Sequence, residues 1–138
     1  MSISVRHALL QDKAIIQVLD THIDEIVLVR KIKRDECYVI CDENNTPVGV
    51  LRYSMFWDNI PFCNLLYIAE AARGKGLGTM LLTEWESAMR ILGYKQVFTS
   101  TLSSEDAQHF YRKNGYTDCG CLLLPGEPLE LIMRKDIQ

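Results

Sequence analysis

An apolar run, Leu65-Leu66-Tyr67-Ile68-Ala69, precedes Arg73-Gly74-Lys75-Gly76-Leu77-Gly78-Thr79, and the strongest helical pattern in the chain follows directly. The run reads as a strand buried on both faces. Over 76–92, Leu81, Trp85, Ala88 and Leu92 recur at steps of four, three and four, one apolar stripe on a helix. Gly93 ends that helix, as a glycine just past a helix commonly does. Gln96-Val97-Phe98-Thr99 then reads as a strand, and the unit over 62–100 is long enough for a right-handed parallel crossover. Three glycines let the loop turn tightly and approach a ligand closely. The N–H groups at a helix start lack internal partners, and the helix dipole adds positive potential. The junction therefore favours an anion, above all a phosphate. Arg73 and Lys75 place two cations there on a chain whose 15 basic and 18 acidic residues leave a net charge of −3.

The remaining pattern is mixed. Ile3-Ser4-Val5-Arg6-His7 alternates and reads as a short strand. A helix starts at Asp12 and carries Ile15, Ile16 and Leu19; a second, over about 22–33, carries Ile23, Ile26, Val27 and Arg30. Residues 37–41 and 48–56 read as strands joined by the turn cluster 42–47, a hairpin over 37–56, and 57–61 make a second turn. Ser103 or Ser104 caps a helix that runs to Asn114 and stops at Gly115, with Glu105 and Asp106 favouring its positive end. Residues 116–124 and 129–134 read as two last strands around Pro125-Gly126-Glu127-Pro128. With no repeat, low-complexity segment or linker, 1–138 is expected to be one domain of order βααβββαβαββ.

With 138 residues, 48% of them hydrophobic and 24% charged, the chain can bury a core without a disulfide or metal staple. The acidic balance argues against a nucleic-acid partner. No apolar run approaches the ~18 residues of a membrane span, and the opening residues lack a signal-peptide pattern. Cys37, Cys41, Cys63, Cys119 and Cys121 include no C-x-x-C pair and read as free thiols packed as small hydrophobes in a reducing cytoplasm. His7, His22 and His109 are scattered, so no metal is expected. The basic run over 30–34 reads as a solvated helix end, and the apolar Cys121-Leu122-Leu123-Leu124 as core.

Among phosphate loops, the Walker pattern fails because no lysine follows a glycine at the required place. The dinucleotide fingerprint fails because its third glycine comes one residue early and Thr79 holds its slot. What remains is R-x-x-G-x-G, formed by Arg73, Gly76 and Gly78. About thirty residues on stands Ala107-Gln108-His109-Phe110-Tyr111-Arg112-Lys113-Asn114-Gly115-Tyr116. Together with Leu66-x-Ile68 ahead of Arg73 and the opening Val5-Arg6-His7-Ala8 and Asp12, these motifs resemble the GNAT superfamily of acetyl-CoA-dependent N-acetyltransferases over essentially the whole chain.

The resemblance implies an α/β fold: a strongly twisted mixed sheet of about seven strands flanked by about four helices, with two parallel strands, about 62–69 and 95–100, splayed apart. It implies acetyl-CoA as cosubstrate, with pantetheine between those strands and the pyrophosphate on Arg73, Gly74, Lys75, Gly76, Leu77, Gly78 and Thr79. Leu66 and Ile68 would line the carrier, the Ile68 amide meeting the thioester carbonyl, and Tyr111 would lie near the sulfur. Ser104 stands where many members have an asparagine near the pantetheine arm. The acceptor would be a primary amine of a small molecule, amino acid or peptide terminus. Trp57, Asp58 and Tyr53 would line its side, because that hairpin end adjoins the splayed strands in the family; an aromatic and an acid suit a cationic amine. Late strands often pair subunits in this family, which makes a homodimer an expectation.

The chemistry sets two proton problems. A lysine-like amine with a pKa of ~10.4 costs about 4.6 kcal/mol to deprotonate at pH 7. The leaving thiol ionises near ~8.5 if it resembles cysteine, so Tyr111 serves at least as a hydrogen-bond donor, and as an acid only if its pKa is lowered. Beside it, Phe110 fits the core face, three residues after Ala107. Neither splayed strand carries an acid, which leaves Glu70, Asp58 or a water chain as the base. That gap keeps open a domain that holds acyl-CoA without transferring it, as a sensor or partner-binding module. A nucleotide-phosphate enzyme using the loop differently is a further alternative.

Overall fold

The computed structural model describes residues 2–138. Seven strands form one mixed sheet in the order β1-β2-β3-β4-β5-β7-β6, accompanied by four α-helices. The strands are β1 (Ser4–His7), β2 (Cys37–Cys41), β3 (Pro47–Phe56), β4 (Ile60–Ile68), β5 (Gln96–Leu102), β6 (Thr117–Leu122) and β7 (Glu130–Asp136). The helices are α1 (Lys13–Leu19), α2 (Glu25–Lys33), α3 (Leu77–Ile91) and α4 (Ala107–Lys113). The chain divides into two compact units, Met1–Ser54 with Leu65–Trp85, and Met55–Asn64 with Glu86–Gln138.

In the first unit β1, β2 and β3 pair antiparallel, with a bulge between Ile40 and Cys41. Its core gathers Ile16, Leu28, Ile32, Cys37, Val39, Cys41 and Val50. The sequence pattern misplaces the buried face of α2: Leu28 and Ile32 are inside, whereas Ile26 and Val27 are exposed. Asp12 does not open α1 freely. It closes a short 3-10 turn (Leu10–Asp12), and its carboxylate accepts from Arg6 at 2.7 and 3.1 Å and from the Leu9 amide at 2.7 Å. Burial pushes this carboxyl up, but those hydrogen bonds outweigh burial and hold it below its ordinary value.

In the second unit β4 and β5 pair parallel, Phe62 opposite Phe98 and Cys63 opposite Thr99. β7 pairs antiparallel with both β5 and β6. Val97, Thr99, Thr101 and Met133 are buried. β6 is exposed throughout, as are Leu122, Leu123 and Leu124, so the expected core strand here is an open one. All five cysteines are free; Cys37, Cys41 and Cys63 are buried, but Cys119 and Cys121 stand on exposed β6 and pack no core. Burial pushes the Cys37 thiol up to about 12, which leaves it inert.

Two glycines end helices as their positions predict. After α3, Gly93 at φ +100 lets its amide reach Arg90 and the Tyr94 amide reach Met89. After α4, Gly115 at φ +94 repeats the arrangement, with Tyr116 reaching Tyr111. The buried stripe of α3 is Leu81, Leu82, Trp85 and Met89; Leu92 falls beyond the helix and is 65% exposed.

Candidate active site

The glycine loop lies in the first unit. The Ala69 amide donates to the Val48 carbonyl at 2.8 Å, tying the end of β4 to β3. Gly49 makes the approach possible: a Cβ there would stand 2.5 Å from Ile68 Cδ1 and 3.1 Å from the Tyr67 carbonyl. A 3-10 turn (Glu70–Ala72) then delivers Arg73, and α3 starts at Leu77. Gly74 and Gly76 sit at φ +78 and +77, and nothing lies within 4 Å of a Cβ built on either. Arg73, Gly74, Lys75, Gly76 and Thr79 are exposed, Gly78 is half-buried, and Leu77 is tucked inside as the loop's anchor. The loop backbone is thus open to a ligand, and left-handed glycines at 74 and 76 give it its path. The Gly76 carbonyl accepts the Met80 amide, so the helical ladder begins at this residue.

The run 65–69 is not buried on both faces. Leu65, Leu66 and Ile68 are half-buried and Tyr67 is 36% exposed. The Arg73 guanidinium covers the Tyr67 ring at 5.0 Å and donates from Nε to the Ile68 carbonyl at 2.8 Å, which lets an aromatic ring stay at the surface.

Tyr111 lies in the second unit and is 6% exposed. Its hydroxyl is hydrogen-bonded with Thr99 and Cys63, and Thr99 Oγ1 donates to the Cys63 carbonyl at 3.1 Å. The phenol therefore points at the register pair that joins β4 to β5. Burial pushes its pKa well above the ordinary value, the Cys63 side chain adds to the rise, and the bond with Thr99 opposes it. A raised pKa makes Tyr111 a hydrogen-bond donor rather than an acid. Phe110 is only half-buried and Ala107 is exposed, so the core face of α4 is that of Tyr111.

Ser104 is exposed and caps nothing. α4 starts at Ala107, with Asp106 before it and no side-chain cap from that residue. The preceding turn is held instead by the Glu105 carboxylate on the Leu102 amide and by Gln108 Nε2 on the Ser103 and Glu105 carbonyls. The β3–β4 turn is tighter than expected, three residues from Trp57 to Asn59, with Ile60 and Pro61 already in β4. Trp57 and Asp58 both have positive φ, +54 and +63, and Trp57 is 75% exposed. Its ring packs on Phe56 at 4.7 Å, and Phe56 in turn contacts Phe62 and Phe98. Glu70 is exposed.

Sequence reasoning missed Glu86, a carboxylate 3% exposed, which accepts from the Tyr116 hydroxyl at 2.7 Å and from Lys135 Nζ at 2.9 Å. It also missed Thr101, whose buried Oγ1 has no hydrogen-bond partner among the described residues. Among those residues no group of three His, Cys, Asp or Glu gathers to hold a metal.

A family model described as an acetyltransferase (GNAT) domain matches residues 33–118. Compared with curated proteins, the chain has no match. Among solved structures, Ard1 from Thermoplasma volcanium superposes with a TM-score of 0.88 at 15% identity, over 100% of this chain and 99% of that one. PaiA N-acetyltransferase from Thermoplasma acidophilum, in complex with coenzyme A, gives 0.80 at 19% identity over 99% of each chain. N-acetylglutamate synthase from Neisseria gonorrhoeae, complexed with coenzyme A and N-acetyl-glutamate, gives 0.85 at 16% identity over 100% of this chain and 36% of that one. The chain belongs to the GNAT family of acetyltransferases.

Proposed function

We propose that the protein transfers an acetyl group directly from acetyl-CoA to a primary amine of a small molecule, amino acid or peptide terminus. The observation that carries this reading is the loop after β4: two left-handed glycines with open space above them run into a fifteen-residue helix within a family-matched segment. Amides from Gly74 to Thr79, with the cations Arg73 and Lys75, suit a pyrophosphate. To meet it, the Arg73 side chain leaves the Ile68 carbonyl and the Tyr67 ring that it now covers.

Tyr111 holds its proton and donates a hydrogen bond to the departing sulfur, the role that its raised pKa permits. Leu66 and Ile68 line the carrier, with the Ile68 amide offered to the thioester carbonyl. The amine's proton passes to solvent by way of Glu70, Asp58 or a chain of waters; both carboxylates are exposed and in reach of water. Trp57 and Asp58 contact the acceptor. A bulky residue at positive φ is a strained choice in a turn where Asn-Gly is easier, and such strain is found most often where a side chain has work to do.

The test is free-thiol release from acetyl-CoA over a panel of amines and peptide termini. Amine-dependent release is expected, and Tyr111→Phe should slow it by raising the activation free energy roughly 1.5–3 kcal/mol, with little change in CoA affinity. Binding of CoA without release for any amine would make the protein a carrier-binding module.

A further inference from the structure

We propose that Glu86 and Tyr116 are positioning residues for Tyr111, an inference that rests on Tyr111 serving the transfer. A tyrosine ring on a short helix needs outside contacts to hold its hydroxyl in one place. Tyr111 is met edge-on by Tyr116, with ring centroids 5.5 Å apart and planes at 66°. Tyr116 is itself fixed on every side. It is 2% exposed, its amide closes on the Tyr111 carbonyl at 3.0 Å, and its hydroxyl donates to Glu86 Oε2 at 2.7 Å. Lys135 Nζ donates to the other oxygen of Glu86 at 2.9 Å and lies 5.8 Å from the Tyr116 ring centroid.

Gly115 completes the clamp. Its positive φ turns the chain back so that Tyr116 lies against Tyr111, and a Cβ there would press on the Lys135 side chain at 3.3 Å. Replacing both members of a buried ion pair by apolar residues is often neutral for stability, whereas losing the carboxylate alone strands the buried Tyr116 hydroxyl and the half-buried Lys135 ammonium. What the carboxylate adds is direction, because it accepts from one phenol at one angle and so sets the ring that meets Tyr111. Neither Glu86 nor Tyr116 touches reacting atoms in this proposal; both act through Tyr111.

The experiment is a double-mutant cycle on turnover, using the most active amine of the panel, with CoA binding measured on each variant. Tyr116→Phe is expected to lower kcat about tenfold, as a small misplacement of a reacting group does, and to leave CoA affinity unchanged. In a Tyr111→Phe background the same change should have no further effect. An equal loss in both backgrounds, or none in either, overturns the proposal. Glu86→Leu should behave like Tyr116→Phe, whereas Glu86→Gln keeps an acceptor for the Tyr116 hydroxyl and should restore most of kcat; equal kcat for the two Glu86 variants also overturns it. If Tyr111→Phe alone leaves turnover unchanged, the role of Tyr111 fails and the proposal with it, which separates the two failures. NMR of ring-labelled tyrosine reads the clamp without turnover. The Tyr111 ring signals should move in Tyr116→Phe and Glu86→Leu and stay in place in Glu86→Gln; signals unmoved in all three contradict the clamp.

Discussion

Replacing Gly76 by asparagine or by aspartate separates the shape of the loop from its charge. Gly76 has φ +77 and nothing within 4 Å of a built Cβ, so both side chains enter open space and the cost lies in the backbone alone. Asn and Asp are nearly isosteric and tolerate the left-handed region better than other residues, so both variants carry a similar penalty, roughly 1 kcal/mol. They differ by one negative charge. At ~5 Å from a phosphate charge, that carboxylate costs ~0.8 kcal/mol at the dielectric of water and ~3 kcal/mol at an effective value of ~20. The loop is exposed, so the smaller figure applies. Two phosphate charges then give about 1.7 kcal/mol, roughly 17-fold in Kd. Calorimetry with CoA should find Gly76→Asp weaker than Gly76→Asn by that factor at low salt, with the gap narrowing as salt rises. Equal affinities at low salt would refute a phosphate at this loop.

Three further outcomes are expected. Gly49→Ala forces a Cβ to within 2.5 Å of Ile68 Cδ1 and 2.7 Å of Ile40 Cγ2, and should lower stability by about 1–3 kcal/mol in denaturant unfolding. Asp12 is held below its ordinary pKa in the folded state, so between the two values the unfolded chain binds more protons and stability rises with pH. Wild type should therefore lose stability as pH falls through the acid range while Asp12→Asn, already less stable at neutral pH, shows a flatter profile; parallel profiles would contradict the assignment. Replacing Trp57-Asp58 by Asn-Gly should raise Tm, because it relieves two non-glycine residues at positive φ, and should raise KM for the acceptor. An unchanged KM would remove this turn from acceptor binding.

What was legible in the sequence was local chemistry. Gly93 and Gly115 were readable as helix ends because only a residue free to take positive φ closes these turns well. The loop over 73–79 was readable because cations and glycines stood between a strand pattern and a helix pattern. Glu86 was not, because a carboxylate in a helix ordinarily faces water, and its partners Tyr116 and Lys135 lie 30 and 49 residues away. Asp58, Asn59 and Pro61 all carry turn signals, so the sequence pattern extends the turn to 61, whereas β4 already starts at Ile60. On α4, Phe110 and Tyr111 are adjacent and both aromatic, and only packing decides which one turns inward. The leucines at 122–124 show that an apolar run marks a preference for nonpolar contact, without stating that this chain supplies it.

Amide NMR on titration with CoA addresses the carrier's place most directly. The account predicts that the largest shifts fall on Gly74, Lys75, Gly76, Leu77, Gly78 and Thr79, whose amides surround the start of α3. Saturable binding that leaves those amides unmoved, or no binding at all, would contradict it.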